Sequence, residues 1–296
     1  MNRVSVVIPA YNYGRYIAEA IDSALAQTLP PLEVIVVDDG STDGTAEVLA
    51  RYGDRIRVVR QENQGVAAAR NRGISVARGA TIAFLDADDI WKPRKLELQM
   101  ARFDADPSFG VVSCGLESFD ASGRTLETRV QETEGHLASA LLRFEPDIIA
   151  AASTIVVPKR IAEEIGGFDI RLPPSEDWDF CYRIATRYPV GQVAEALVRY
   201  RLHEGGIHLN IARMESSMLL AFEKAFASGD PAVQALRREA YGRLHRILAG
   251  SYFQNRQLGS FARNALLSLR YDPRSLRYFA AYPLRVIRRL RATTAA

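Results

Sequence analysis

The sequence predicts an α/β protein with a mostly parallel sheet, flanking helices and a C-terminal helical region. Two observations predict this class. Over the first ninety residues, short β-branched apolar runs alternate with helical patterns, as they do where crossover helices join parallel strands. From about Leu209 onward, the pattern is helical almost throughout. A chain of 296 residues that is 48% hydrophobic is long enough to bury a large core.

Strands and helices alternate regularly before residue 90. The strands are the apolar runs at residues 4–10, 32–39, 56–60 and 80–86. The helices lie between them, at residues 16–27, 45–51 and 66–77. These helices are predicted from apolar residues that recur at helical spacing or, at residues 66–77, from frequent Ala. Ligands of such open sheets bind beyond the carboxyl ends of the strands. Asp38, Asp39 and Asp86 occupy those ends, so we expect the site there.

The middle of the chain is less regular. Two strands are predicted around the turn at Ser122 and Gly123, and a strand with a short helix leads to Gly166 and Gly167. A helix at 175–188 and a strand at 194–203 follow. We therefore expect a first domain over residues 1–208 and a helical basic region over 209–296.

Charge is unevenly distributed along the chain. Residues 230–296 contain 13 Lys and Arg against 3 acids, a net charge of +10, whereas residues 1–229 carry −7. A basic segment of this kind favours an anionic partner, unless it is only a solvated helical face. The apolar residues among its arginines fit packed helices or a basic interfacial helix. We expect packed helices that end in a segment touching an anionic membrane, and no nucleic acid, since no groove-reading motif is present.

The two cysteines and the hydropathy pattern indicate the compartment. Cys114 and Cys181 both lie in core-like patterns, which fits a reducing cytosol without disulfides. The N-terminal apolar run is too short for a signal peptide, and no later run is long enough to span a bilayer. We expect a cytoplasmic protein in peripheral contact with the inner face of the cell membrane.

An acidic segment directly follows the strand predicted at residues 80–86. Carboxylates as close together as Asp86, Asp88 and Asp89 repel one another and resist desolvation. They therefore need either contact with solvent or a nearby cation. Oxygen ligands of this type suit a hard divalent cation, Mn²⁺ or Mg²⁺. The alternative is a helix N-cap, because a helical pattern begins at Ile90.

Five motifs occur in an order and spacing that closely resemble the non-processive, inverting family 2 glycosyltransferases with the GT-A fold. They are VSVVIPAYNYGRYIAEAIDSALAQT, VIVVDDGSTDGT, NQGVAAARNRG, FLDADD and SEDWDF. The resemblance covers roughly residues 3–203. It implies a Rossmann-like GT-A sheet and metal-dependent transfer of one sugar from a nucleotide sugar, chiefly a UDP-sugar. The implied acceptor is a saccharide or a lipid-linked glycan, as in cell-envelope polysaccharide synthesis. Processive relatives carry a Gln-x-x-Arg-Trp motif, which this sequence lacks.

The resemblance assigns the acidic segment to the metal and the diphosphate. Asp86-Ala87-Asp88 is similar to the family's DxD motif, with Asp88 as direct metal ligand, Asp86 nearer the ribose and Asp89 in support. His203 follows the last predicted strand in an Arg-x-His segment of the kind that brings the His towards the metal or the diphosphate. His208 is a weaker candidate, since relatives have a small hydroxyl residue at that place.

The base pocket is implied at the ends of the first two strands. Asp39 is expected to accept the N3 hydrogen of uracil, with Asp38 as the second choice. The resemblance places three further residues around the same base: Pro9, Tyr11 and Asn12. Arg70 resembles the family's nucleotide-contacting Arg; the alternative is a cation at a helix C-terminus.

The acidic pair Glu176-Asp177 matches the family's pair at the start of the acceptor-side helix. The resemblance makes Asp177 the general base for the acceptor hydroxyl, with Glu176 orienting it. The alternative is plain N-terminal helix stabilisation by acids. Two rival functions remain: a sugar-nucleotide nucleotidyltransferase, whose Gly-rich N-terminal loop is missing here, and an inactive GT-A-like binding scaffold, which would not need its acidic residues intact.

Overall fold

The computed structural model describes residues 4–145, 150–203 and 210–280. These ranges contain nine strands: β1 Val4–Ala10, β2 Glu33–Asp38, β3 Arg57–Arg60, β4 Thr81–Phe84, β5 Ile90–Trp91, β6 Val111–Phe119, β7 Thr125–Arg129, β8 Val156–Pro158 and β9 Val190–Arg201. They form one sheet in the order β3-β2-β1-β4-β8-β6-β9-β5, with β7 beside β6.

Helices flank this sheet and form the C-terminal region. They are α1 Ile17–Leu25, α2 Thr45–Ala50, α3 Val66–Val76, α4 Lys95–Ala105, α5 Ala138–Leu142, α6 Lys159–Glu164, α7 Glu176–Ala185, α8 Ile211–Phe226, α9 Pro231–Gln254, α10 Leu258–Tyr271 and α11 Ser275–Ala280. This arrangement confirms the predicted class, a mostly parallel α/β sheet with a helical C-terminal region. None of the helices described is long and apolar enough to cross a membrane.

The parallel half of the sheet sets the position of the site. β1 pairs in parallel with β2 and β4, and β2 pairs in parallel with β3. The carboxyl ends of β1, β2 and β4 therefore meet at one edge. β8 runs antiparallel to β4, with Ala83 opposite Val156, so the residues before β8 lie beside those that follow β4.

Strands β1 and β2 are buried on both faces of the sheet, because helices cover each face there. In β1, Val6 and Ile8 belong to an apolar cluster with α1 and α4. Val7 points the other way, into a cluster that includes residues of α3, α7, α8 and α9. This two-sided burial explains why β1 and β2 are continuous apolar runs rather than alternating ones.

The C-terminal helices pack directly on α7. The Trp178 and Phe222 rings lie 5.2 Å apart, and Lys224 Nζ lies 3.0 Å from an Asp179 oxygen. Ser217 Oγ also donates to the Leu172 carbonyl. The expected packed helices are thus present through residue 280. The division at 208/209 stays a prediction, because that boundary, His208 and residues 281–296 lie outside the described residues.

The structure contradicts the alternative interpretation of the acidic segment as a helix N-cap. Ile90 and Trp91 pair with Arg199 and Val198 as β5, which keeps the chain extended there. α4 therefore begins only at Lys95, several residues beyond the carboxylates. Stabilisation of the N-terminus of α4 by acidic side chains therefore cannot account for the acidic cluster.

Candidate active site

A long-range strand pairing brings together the residues at the acidic end of the site. The β5–β9 pairing carries the end of β9 alongside Asp88. There His203 Nε2 lies 2.9 Å from Asp88 Oδ2. Arg201 fixes the backbone of the same segment, since its Nε donates to the Asp88 carbonyl at 2.9 Å and its N–H donates to Asp89 Oδ1 at 3.1 Å. The two predicted metal ligands are therefore neighbours.

The carboxylates of this segment are held at an electrostatic cost. Burial and the neighbouring Asp86 raise the pKa of Asp88, although its hydrogen bond with His203 lowers it. Burial also raises the pKa of Asp89 well above its usual value. Ser153 Oγ donates to Asp89 Oδ2 at 2.6 Å and accepts from the Asp86 N–H at 3.0 Å. Negative charge here is thus only partly compensated by the protein.

Arg70 is the centre of a second carboxylate cluster. Its Nη1 lies 2.8 Å from Glu176 Oε1 and 2.6 Å from Asp177 Oδ1, and its Nη2 lies 2.6 Å from Asp86 Oδ1. Burial lowers the pKa of Arg70, but the three carboxylates raise it by more. Both terminal nitrogens are thus occupied by carboxylates, while Nε is buried without a partner among the described residues. The predicted contact of Arg70 with the nucleotide stays a prediction.

Asp177 is oriented from two sides at the start of α7. Arg70 holds its Oδ1, and the Ala152 N–H donates to its Oδ2 at 3.0 Å. Its side chain is 20% exposed, so a ligand can reach it. Burial raises the pKa of Asp177 to about 7; Arg70 opposes this increase, while Glu176 and Asp86 add to it. A carboxylate with a pKa near the working pH is suited to general-base catalysis.

Asp39 and Asp38 are both buried and organise the loops around them. Asp39 Oδ1 accepts from Gln61 Nε2 at 2.8 Å and from the Gln64 N–H at 2.9 Å. Within the described part of the chain, Oδ2 accepts one hydrogen bond, from the Gly65 N–H at 2.7 Å. Oδ2 therefore keeps acceptor capacity. Asp38 Oδ1 accepts from the Ser41 N–H at 2.9 Å.

The remaining predicted nucleotide contacts line the same edge of the sheet. Tyr11 is 43% exposed directly after β1, which also contains Pro9. Asn12 has a positive φ of 61° and accepts from the Thr42 N–H at 2.8 Å, so it joins the ends of β1 and β2. Ala87 is buried between the two aspartates of the acidic segment. The first two strands and the acidic segment thus border one another.

The donor set fits a divalent cation. Among the residues the structure describes, no three His, Cys, Asp or Glu side chains are already arranged as a metal site. Asp88 and His203 nevertheless offer a carboxylate oxygen and an imidazole nitrogen, which suit Mn²⁺. Three carboxylates share the guanidinium of Arg70, since it binds Asp86, Glu176 and Asp177, so negative charge is in excess there. A bound cation would offset this excess.

Sequence reasoning missed the roles of three residues that hold the site together, although it named the Arg-x-His segment that contains Arg201. Ala152 and Ser153 bind Asp177, Asp86 and Asp89 through groups that carry no motif. Arg201 holds the acidic segment from 113 positions away. Only a correct pairing of β8 with β4 and of β9 with β5 would have found them, and short strands do not reveal their partners.

Comparisons with known proteins identify the family that this sequence matches. The model of the family "Glycosyl transferase family 2" matches residues 5–166. An uncharacterized glycosyltransferase of Nostoc sp. is 32% identical over 228 residues, 72% of this chain and 69% of that protein. One of Rickettsia felis is 35% identical over 68% of this chain, but the match spans only 34% of that longer protein.

Solved structures share the fold at low sequence identity. S. aureus TarS in complex with UDP-GlcNAc superposes with a TM-score of 0.64 at 18% identity, over 91% of each chain. The mannosyltransferase PcManGT of Pyrobaculum calidifontis, in complex with GDP-Man and Mn²⁺, gives a TM-score of 0.66 at 22% identity, over 99% of this chain and 83% of that one. At these identities the likeness establishes the fold alone.

Proposed function

This chain belongs to glycosyl transferase family 2, and from that premise we propose that it transfers one sugar, with inversion, from a nucleotide sugar to a saccharide or lipid-linked acceptor. The observation that carries the proposal is the pair of carboxylates on one buried guanidinium. Arg70 binds Asp86, beside the predicted metal ligand, and also binds Asp177, whose pKa of about 7 suits a base. Donor and acceptor chemistry would therefore meet at this side chain.

The proposed chemistry is a single displacement at the anomeric carbon. The acceptor oxygen forms its bond to that carbon as the bond to the diphosphate oxygen breaks, and the hydroxyl proton passes to Asp177. Glu176 is buried and serves orientation rather than proton transfer. One displacement converts an α-linked donor into a β-linked product.

Asp88 and His203 would hold a divalent cation, Mn²⁺ or Mg²⁺, with Asp86 nearer the ribose. When bound there, the cation would stabilise the charge of the departing diphosphate. The support for this proposal is the short Asp88–His203 distance and the uncompensated charge around it. PcManGT, which shares the fold, contains Mn²⁺.

We assign the nucleotide base to the pocket at the ends of β1 and β2, and uracil as the preferred base. Asp39 Oδ2 keeps acceptor capacity for the uracil N3 hydrogen, and the exposed Tyr11 ring offers a surface to stack on. The two fold relatives bind UDP-GlcNAc and GDP-Man respectively. Both support a nucleotide sugar as donor, and the choice between the bases rests on the pocket.

A panel of nucleotide sugars tests the proposal. We expect hydrolysis or transfer from a UDP-sugar in Mn²⁺ or Mg²⁺, tighter binding of UDP than of GDP, and loss of activity in EDTA. Asp88→Asn should remove most activity while the melting temperature stays close to that of the wild type. Full activity in EDTA would exclude the metal proposal, and tighter binding of GDP than of UDP would overturn the base assignment.

A further inference from the structure

We propose that Arg70 is a positioning residue that acts on catalysis through Asp177, by holding one carboxylate oxygen while the Ala152 N–H holds the other. The inference rests on the proposed function, in which Asp177 is the base. It differs from the sequence-based expectation that Arg70 contacts the nucleotide. Arg70 would not touch the substrate; its effect would reach the reaction only through the carboxylate that it orients.

The geometry of the guanidinium favours this role over a ligand contact. Arg70 is 2% exposed, and its terminal nitrogens already bind three carboxylates. The Phe168 ring lies under it, 5.2 Å from Cζ, which restricts its rotation. A planar fork with several fixed donors can satisfy acids on two sides at once, whereas an ammonium group cannot. Arg70 is therefore built to fix carboxylates relative to one another.

The positions of these partners explain why a fixed Asp177 matters. Asp86 follows β4 on the donor side, and Asp177 begins α7 on the acceptor side. Arg70 comes from α3, so three separate elements meet at its side chain. A general base must lie within hydrogen-bond reach of the proton that it removes. Loss of the bridge would let Asp177 turn away from the acceptor while leaving its identity intact.

Arg70 also sets the charge state of the base. Glu176 and Cys181 face Asp177 from its own helix, Asp86 faces it from the end of β4, and Tyr200 lies nearby on β9. Burial raises the pKa of Cys181 and of Tyr200, so both are neutral near pH 7. Arg70 is therefore the cation that opposes burial and the two acids. Without it, Asp177 should lose its proton only at higher pH.

The pH profile of kcat at saturating donor separates this role from a merely structural one. In Arg70→Gln, we expect the acidic limb to move up by about one pH unit or more, so that activity recovers between about pH 7 and pH 9. Arg70→Lys keeps a cation and is the variant to use if the Gln variant does not fold; its limb should move less. Arg72→Gln changes an exposed Arg on the same helix and should leave the profile unchanged. An acidic limb that stays at the wild-type pH in Arg70→Gln would refute the effect of Arg70 on the charge state of Asp177.

A double-mutant cycle with Asp177→Asn gives the second test. If Arg70 acts through Asp177, Arg70→Lys should lower kcat about tenfold in the wild type but less than about twofold in the Asp177→Asn background. If Arg70→Lys still lowered kcat about tenfold in that background, the positioning role of Arg70 would be refuted, while the assignment of Asp177 as the base would stand. Wild-type turnover of Asp177→Asn itself would instead refute the base, and with it the proposed function. The two failures are thus distinguishable.

Discussion

Buried carboxylates in this protein differ in charge state because their neighbours differ. Glu33 is buried, which by itself raises its pKa, yet hydrogen bonds from the Arg78 backbone and from Ser5 bring that pKa below the usual value. Asp177 is largely buried too, but it shares Arg70 with Glu176 and Asp86, and its pKa is raised. The pKa values of these two acids are thus shifted in opposite directions. The acid with the raised pKa is the one beside the proposed reaction centre.

Asp177→Asn should separate binding from chemistry. A base must be ionised to accept a proton, so wild-type kcat should rise as pH increases through about 7. The Asn variant should turn over about a hundredfold more slowly, or worse, with nearly unchanged affinity for the nucleotide sugar. Asp54→Asn, an exposed acid elsewhere, is the control. NMR of the product from a UDP-α-sugar should show a β linkage; an α linkage would contradict the single displacement.

His203→Ala tests the metal assignment without altering the acidic segment itself. Loss of the imidazole at 2.9 Å from Asp88 removes one proposed ligand. We expect the Mn²⁺ concentration for half-maximal activity to rise about tenfold or more. His136→Ala changes an exposed His and should leave it unchanged. An unchanged Mn²⁺ requirement in the His203→Ala variant would remove His203 from the ligand set.

At the scale of elements, the strands of the first half were largely predictable and their partners were not. β1 is found at residues 4–10 as predicted, and α3 at Val66–Val76 lies within one residue of the predicted helix. Periodicity reveals such elements because each buries one face. β5 was missed because two residues show no period, and its partner β9 lies about a hundred residues away. The contacts of Arg70 could not be predicted for the same reason, because its partner Glu176 lies 106 positions away in the sequence.

Close packing of α3 on β1 fixes the distance between this helix and the sheet, and with it the position of Arg70 in the site. A Cβ added at Gly73 would lie 2.2 Å from Val7 Cγ1, so any side chain there must push α3 away from the sheet. Helix α3 carries Arg70 one turn earlier. The spacing at Gly73 therefore connects core packing with the orientation of Asp177.

Gly73→Ala should destabilise the protein although Ala favours helices. Overpacking costs about 1–3 kcal/mol, which exceeds the gain of about 1 kcal/mol in helix propensity. Urea denaturation should show the lower free energy of unfolding, and kcat should fall as well because Arg70 shifts. Gly259→Ala, at a helical glycine with open space around it, should be neutral or stabilising. Equal stability of the two variants would contradict the tight packing.

At the scale of the molecule, the C-terminal helices belong to the core of the catalytic unit. The apolar cluster that contains Val7 of the sheet also contains Phe222 and Leu244. The sequence predicted helices there but not their docking, because the contacts with α7 pair aromatic rings that no periodicity assigns to one another. The division proposed at residue 208 stays a prediction, but residues on either side of it share one apolar core.

The far end of this helical region should bind anionic membranes. Leu258, Leu266 and Leu276 are each more than 60% exposed, and exposed arginines accompany them on α10 and α11. The 296-residue chain should sediment with anionic lipid vesicles but not with zwitterionic ones, and about 0.5 M salt should release it. A chain ending at residue 280 lacks four of the 13 basic residues of segment 230–296. At about 1 kcal/mol per charge near the surface, its binding should weaken at least about tenfold. Equal binding of both chains, or binding to zwitterionic vesicles, would show that the basic tail has another role.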